Sequence, residues 1–255
     1  MMQYSPCYQL KDKAKDMLRG KYTAAMSVCT MSVMLSVAAN LFVTGNITPL
    51  LSRISGTMDV FSPMALLLPF SLSELVSFLL AAVLGILQLG TALFFLNMAC
   101  NQPYSLQNLF YGFRQDTGRA ITISALQALV ELICLIPFRF FLKCFTCSGS
   151  TDWLMPAMVA MAVGYCIYIP ISLSLYLSFY LMLDFPDKSA VDILKLSIRT
   201  MKGHKKRLFL LEISFIPLMI LCVCALYIGF LWLMPYMQMT YVYFFLDVMN
   251  PENNR

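Results

Sequence analysis

Apolar residues fall into long, nearly uncharged runs, separated by short segments with a helical rhythm of their own. The runs cover residues 22–43, 72–99, 121–138, 154–183, 208–226 and 230–246, and none holds more than one charged side chain. About 20 apolar residues in a helix cross the hydrocarbon core of a bilayer. The six runs therefore predict six spans. The fourth is interrupted by Pro156 and Pro170. One tilted or kinked helix is expected there, because two crossings need nearly 40 residues. The last two spans are expected to turn near Gly229 or Pro235. The first run is longer than the apolar core of a cleaved signal peptide, so it is expected to remain as a span.

The intervening segments are amphipathic. In residues 10–19, Leu10, Ala14, Met17 and Leu18 share one helical face, with Lys11, Lys15 and Arg19 on another. In residues 105–112, Leu106, Leu109 and Phe110 share a face, continued by Phe113. In residues 190–202, Val191, Leu194, Ile198 and Met201 form the apolar stripe beside Asp192, Lys195, Arg199 and Lys202. Ser189 and Asp192 have capping-box spacing. Each segment precedes an odd-numbered span and ends near a glycine, at Gly20, Gly112 or Gly203. Such helices are expected to lie in the membrane interface. The second and sixth spans also end alike, in Phe94-Phe95-Leu96-Asn97 and Phe244-Phe245-Leu246-Asp247, with Gln88 and Gln238 equally far upstream. A repeated unit follows: interfacial helix, span, hairpin, span. The expected fold is an all-α integral membrane protein. It is a single polytopic domain over 1–255, with about six transmembrane helices in three hairpins, each preceded by a short cytoplasmic-side amphipathic helix.

Composition agrees with this class. Of 255 residues 60% are hydrophobic and only 12% charged, half the charged share of an ordinary soluble domain. Distribution tells more than the net charge of +5. Six spans place fifteen of the eighteen Lys and Arg residues on one side. The excess of positive loops marks the cytoplasmic side. A multi-pass protein of the cell membrane with cytoplasmic N- and C-termini is expected. The basic residues flank spans and form no face of a soluble fold, so nucleic acid is not an expected partner. A single histidine, His204, argues against a histidine-based metal site. Among nine cysteines only Cys144 and Cys147 form a C-x-x-C pair. They lie in a segment expected to be a loop, 139–153, and read as two thiols without a redox partner.

Few residues carry candidate chemistry. Glu131 lies deep in the third span with Gln127 one turn before it, where a carboxylate is costly unless it packs or works. Gln88 and Gln238 complete the candidate intramembrane polar site. Glu212, one turn inside the fifth span, is expected to pair with Arg207 or Lys205. Arg199, Lys202, Lys205, Lys206 and Arg207 form a basic knot suited to anionic headgroups and to holding topology. No nucleophile elbow, P-loop or zinc-protease motif occurs, so no catalytic, cofactor or metal residues are assigned.

Leu10-Lys11, Ala14-Lys15, Leu18 and Gly20-Lys21-Tyr22 open a wider pattern. Leu106, Leu109-Phe110 and Gly112-Phe113 continue it. Its most specific part is Arg199, Met201-Lys202-Gly203-His204-Lys205 and Leu208 through Ile216, and it closes on Pro235-Tyr236 and Thr240-Tyr241. On these residues the chain resembles a bacterial family of six-span membrane proteins catalogued as domain of unknown function 975. The resemblance implies an integral membrane protein, typically of Gram-positive bacteria, with no assigned substrate or catalytic residue. The expected role is non-enzymatic, in membrane organisation or as an accessory subunit. Its basic amphipathic helices would contact anionic lipid, a membrane-protein partner or a second copy. The alternatives are a small transporter or channel with a polar path near Glu131 and, less favoured, an intramembrane lipid-modifying enzyme.

Overall fold

The computed structural model describes residues 6–47, 49–50 and 72–249, with the side chains of residues 72–74 and of Cys147 left undescribed. Arg53, Asp59 and Arg255, the Glu74 and Cys147 side chains, and most of the connector after the first span lie outside the described residues. Among the described residues every regular element is helical. In chain order they are α1 (Cys7–Leu18), α2 (Tyr22–Phe42), α3 (Leu72–Ala99), α4 (Tyr111–Arg114), α5 (Thr117–Cys134), α6 (Ile136–Ser148), α7 (Leu154–Leu175), α8 (Ser178–Asp184), α9 (Ala190–Thr200), α10 (Lys205–Ile213), α11 (Ile216–Cys224) and α12 (Phe230–Met249). A π-helical turn, Val43–Ile47, extends α2, and 3-10 turns precede α4 and α7.

Among the described residues five helical stretches are long and apolar enough to cross a membrane: Tyr22–Ile47, Leu75–Ala99, Thr117–Cys134, Thr151–Asp184 and Lys205–Cys224. Helix α12 is not among them. Tyr236, Gln238, Thr240, Tyr241, Tyr243 and Asp247 dilute its apolar character.

Backbone contacts divide the chain into two compact units. The first comprises Met1–Leu35, Gly85–Ile123 and Leu173–Arg255. Its core is built on α12, where Met239, Thr240, Val242, Phe244 and Phe245 are fully buried. Helix α1 packs along α12, and its Leu10, Ala14 and Leu18 are buried. Three of the four residues of the stripe expected to lie in the membrane interface thus face protein, with Met17 half-buried. Tyr180 stacks on Phe245 at 5.2 Å, and Tyr176 meets Tyr241 edge-on at 5.1 Å. Such ring pairs contribute about 0.5–1.5 kcal/mol beyond their buried area.

Two glycines expected as stop signals serve differently. Gly20 and Gly203 adopt φ of +76° and +90° and end their helices as expected. Gly112 does not. It lies inside α4, where a Cβ would come within 2.7 Å of the Ile86 side chain. The left-handed residue of that segment is Asp116, with φ 61°. The Asp116 carboxylate pairs with Arg119, whose guanidinium also donates to the Pro186 and Lys188 carbonyls. Arg119 thus holds the turn that leads into α9. The hairpin before α12 shows the same exchange. Leu226 and Tyr227 take the left-handed conformation. Gly229 instead allows close packing, since a Cβ there would lie 2.6 Å from the Cys222 sulfur.

The second unit comprises Ser36–Leu84 and Ser124–Ser172. The buried Ser124 hydroxyl donates to the Ala82 carbonyl at 2.8 Å and joins α5 to α3. The segment expected as a loop, 139–153, is largely helix α6. Pro137 sits in its first turn, where a missing N–H is harmless. Gly149, at φ 64°, ends it. Those two signals outweigh Arg139 and Lys143, which an amphipathic helix accommodates.

Candidate functional site

The basic segment 187–212 folds as two helices. Ser189 caps α9 by accepting the Asp192 N–H at 3.3 Å, and its hydroxyl donates to the Asp192 carboxylate at 2.6 Å. The buried stripe of α9 and the residue after it is Ala190, Ile193, Leu194, Ser197 and Met201. Val191 and Ile198, expected in that stripe, point outward instead. The offset has a polar cause: the buried Ser197 hydroxyl donates to the Ser174 carbonyl at 2.8 Å. Helix α9 packs on α8 with one side. Its other side exposes Val191 and Ile198 beside Lys195, Arg199 and Lys202.

The knot after Gly203 is not one surface. Lys202 and Lys206 are exposed, whereas Lys205 and Arg207 are half-buried. The Arg207 guanidinium forms an ion pair with Asp247 of α12 and lies 5.3 Å from the Phe244 ring centroid. The two side chains are only 17% and 4% exposed. His204 lies beside the pair. Burial lowers its pKa from 6.5, and the Arg207 charge adds to that, with Asp247 acting in the opposite direction. Asn97 and Asp247, matched in sequence, do different work. The Asn97 amide donates locally to the Pro103 carbonyl at 3.4 Å, while Asp247 makes a tertiary pair.

The fifth candidate span is broken at Ser214-Phe215. Pro217 lacks an N–H, which leaves the Ile213 carbonyl without its helical donor. Lys11 reaches this break from α1. Its ammonium donates to the Ser214 carbonyl at 3.1 Å and lies 4.1 Å from the Phe215 ring centroid. Burial lowers the Lys11 pKa, and Cys7 partly offsets this. Phe215 also meets Tyr236 at 5.6 Å and Tyr241 at 6.2 Å. Among the described residues no ion pair reaches Glu212: Arg207 is taken by Asp247. Glu212 instead lies within electrostatic reach of Tyr176 and Tyr241. This cluster was missed from sequence, although Tyr176 and Tyr180 stand one helical turn apart in an apolar run and could have flagged a phenol stripe.

In the second unit, Glu131 and Gln127 are half-buried on α5, and Glu131 lies within electrostatic reach of Tyr168. An apolar groove of about 530 Å³ runs between α6 and α7, lined by Cys134, Pro137, Phe141, Val159, Val163 and Ile167 among others. Cys144 carries a free thiol. In the first unit Gln88 is exposed and Gln238 half-buried. Among the described residues no three His, Cys, Asp or Glu side chains are grouped to hold a metal ion.

Neither the curated proteins nor the solved structures yield a match to this chain. A family model described as "Protein of unknown function (DUF975)" matches residues 2–252. With nearly the whole chain matched, the protein belongs to the DUF975 family.

Proposed function

We propose that the protein is a non-catalytic multi-pass protein of the cell membrane that holds anionic lipid headgroups on the outward face of α9. In this reading α12 is the sixth crossing and both termini are cytoplasmic. A helix shielded by protein tolerates the polar residues that a lipid-facing one does not, and α12 is the most buried of the long helices. The observation that carries the lipid reading is the two-sided α9. One side is packed into the protein, while the other presents Val191 and Ile198 to the outside among Lys195, Arg199 and Lys202, with Lys206 exposed beyond. Two aliphatic side chains ringed by cations suit the boundary between acyl chains and phosphates. Each basic residue near an anionic surface contributes about 1 kcal/mol. Changing Lys195, Arg199, Lys202 and Lys206 together to Gln should weaken binding of phosphatidylglycerol by the purified protein more than 100-fold, with zwitterionic lipid unaffected. Unchanged binding would sink the headgroup role. A reporter fused after Arg255 should report the cytoplasm.

A transporter or channel centred on Glu131 is the second reading, supported by the nearness of Tyr168 to that carboxylate. It requires ion or proton flux in proteoliposomes that Glu131→Gln abolishes. A membrane-protein partner or a second copy on α9 would be disclosed by crosslinking from Ile198.

A further inference from the structure

We infer that the groove between α6 and α7 holds one acyl chain of a bilayer phospholipid, with the headgroup resting at the turn of residues 148–153. This rests on the multi-pass reading, but not on headgroup binding by α9. The groove has a volume of about 530 Å³, within the roughly 300–1,000 Å³ of pockets that take one small ligand. Its floor is a close approach of helices: a Cβ at Gly164 would lie 2.8 Å from the Cys134 carbonyl oxygen. Pro137 and Phe141 of α6 form one wall, and Val159, Val163 and Ile167 of α7 the other. Among the described residues no charged or hydroxyl-bearing side chain lines it.

Two features select the occupant. The first is the difference between the two ends. At one end Phe141 stacks on Trp153, with ring centroids 6.2 Å apart. Trp153 closes an exposed polar turn. There the Ser150 hydroxyl donates to the Asp152 carboxylate at 2.7 Å, and the Ser148 hydroxyl accepts the Ser150 N–H at 3.3 Å. A tryptophan beside such polar groups belongs at headgroup level. From Met155 the lining continues along α7 to Ile167 and stays apolar. At about 1.5 Å per residue that is roughly 18 Å, close to half of a ~30 Å hydrocarbon core. A groove polar at its head and apolar for the depth of one leaflet matches a single acyl chain. The second feature is its open side. Met155, Val159, Val163 and Ile167 are all exposed, within a stretch long and apolar enough to cross a membrane. A chain can therefore enter sideways while its lipid stays in the leaflet. With no charge in the lining, the groove selects the chain and not the headgroup.

The test uses the full chain, purified in detergent and incubated with phosphatidylcholine, a zwitterionic lipid that the cations of α9 do not select. Native mass spectrometry should show one retained phosphatidylcholine per chain. Ala160→Phe fills the groove and should weaken retention about tenfold or more. Met158→Phe, on α7 but outside the lining, should leave retention unchanged. If Ala160→Phe does not fold, Val163→Phe narrows the groove from an exposed wall position and should weaken retention severalfold. A chain that retains no phospholipid overturns the site. So does retention that is the same in the groove variants as in Met158→Phe. Retention of oleate in preference to phosphatidylcholine also overturns it, and would assign the groove to a free fatty acid. Protein that fails to enter liposomes sinks the multi-pass reading and the groove with it. Protein that enters them but retains no phosphatidylcholine sinks the groove alone.

Discussion

The Arg207–Asp247 pair makes the sharpest stability prediction. Replacing Asp247 with Ala removes the carboxylate paired with a guanidinium whose side chain is only 17% exposed. Removing one partner of a buried pair costs about 3–5 kcal/mol, most of it from the charge left behind. Arg207 can still lean on the Phe244 ring at 5.3 Å, and its residual exposure gives water some access. The low end of the range, about 3 kcal/mol, is therefore expected. For a chain of this size that corresponds to roughly 6–12 °C in thermal midpoint. The reverse substitution, Arg207→Met, removes the cation paired with a 4%-exposed carboxylate and should cost a comparable amount. The double variant Arg207→Met/Asp247→Leu removes both charges and fills the space. It should return to within about 1 kcal/mol of the parent, a coupling of more than 2 kcal/mol. Reversible unfolding in mixed micelles, followed by circular dichroism, measures all four proteins. Raising salt from 0.15 to 1 M should change the coupling little, since the pair is shielded from ions. Additive single and double variants, or a parent stability insensitive to Asp247→Ala, would refute the reasoning.

Other perturbations test other parts of the fold. His204 has a folded pKa below its ordinary 6.5. Above that value both states are neutral and stability is unaffected. As pH falls below it, the unfolded chain takes up a proton that the folded protein resists, so stability is lost on acidification. A midpoint-versus-pH series should show this loss, and His204→Gln should reduce it. Gly90→Ala would place a Cβ 2.0 Å from the Leu109 carbonyl oxygen. The backbone must shift, and a loss of more than about 3 kcal/mol is expected. Ser197→Ala deletes the buried bond to the Ser174 carbonyl and should cost about 1 kcal/mol. Leu226→Gly should stabilise the hairpin before α12 by about 0.5–1 kcal/mol, because Leu226 is held at φ 53°.

Much of the architecture was legible in the chain because the relevant physics is local. Uncharged runs near twenty residues announce helices able to cross a bilayer. The S-x-x-D spacing announced the α9 cap, and Gly20 and Gly203 announced helix ends. Family membership rested on residues readable in order. The segment 139–153 was misjudged although its signals were present, because Arg139 and Lys143 suggested a loop more strongly than Pro137 and Gly149 suggested a helix.

What tertiary structure alone decided concerns partners. An apolar stripe states that a face avoids water, but lipid and protein interior are equally apolar, so the pattern of α1 could not reveal that Leu10, Ala14 and Leu18 pack on protein beside α12. Charges behave likewise. Arg207 had Glu212 nearby in sequence and chose Asp247, forty residues away, because packing on α12 brings that carboxylate to it. Glu212 stays within electrostatic reach of Tyr176 and Tyr241 instead. Gly112 and Gly229 look like turn signals, yet each is required by a neighbour's closeness, which no single segment encodes. The sequence determined which stretches are helical and apolar. The fold decided which side chains those helices bring together, because that depends on long-range contacts.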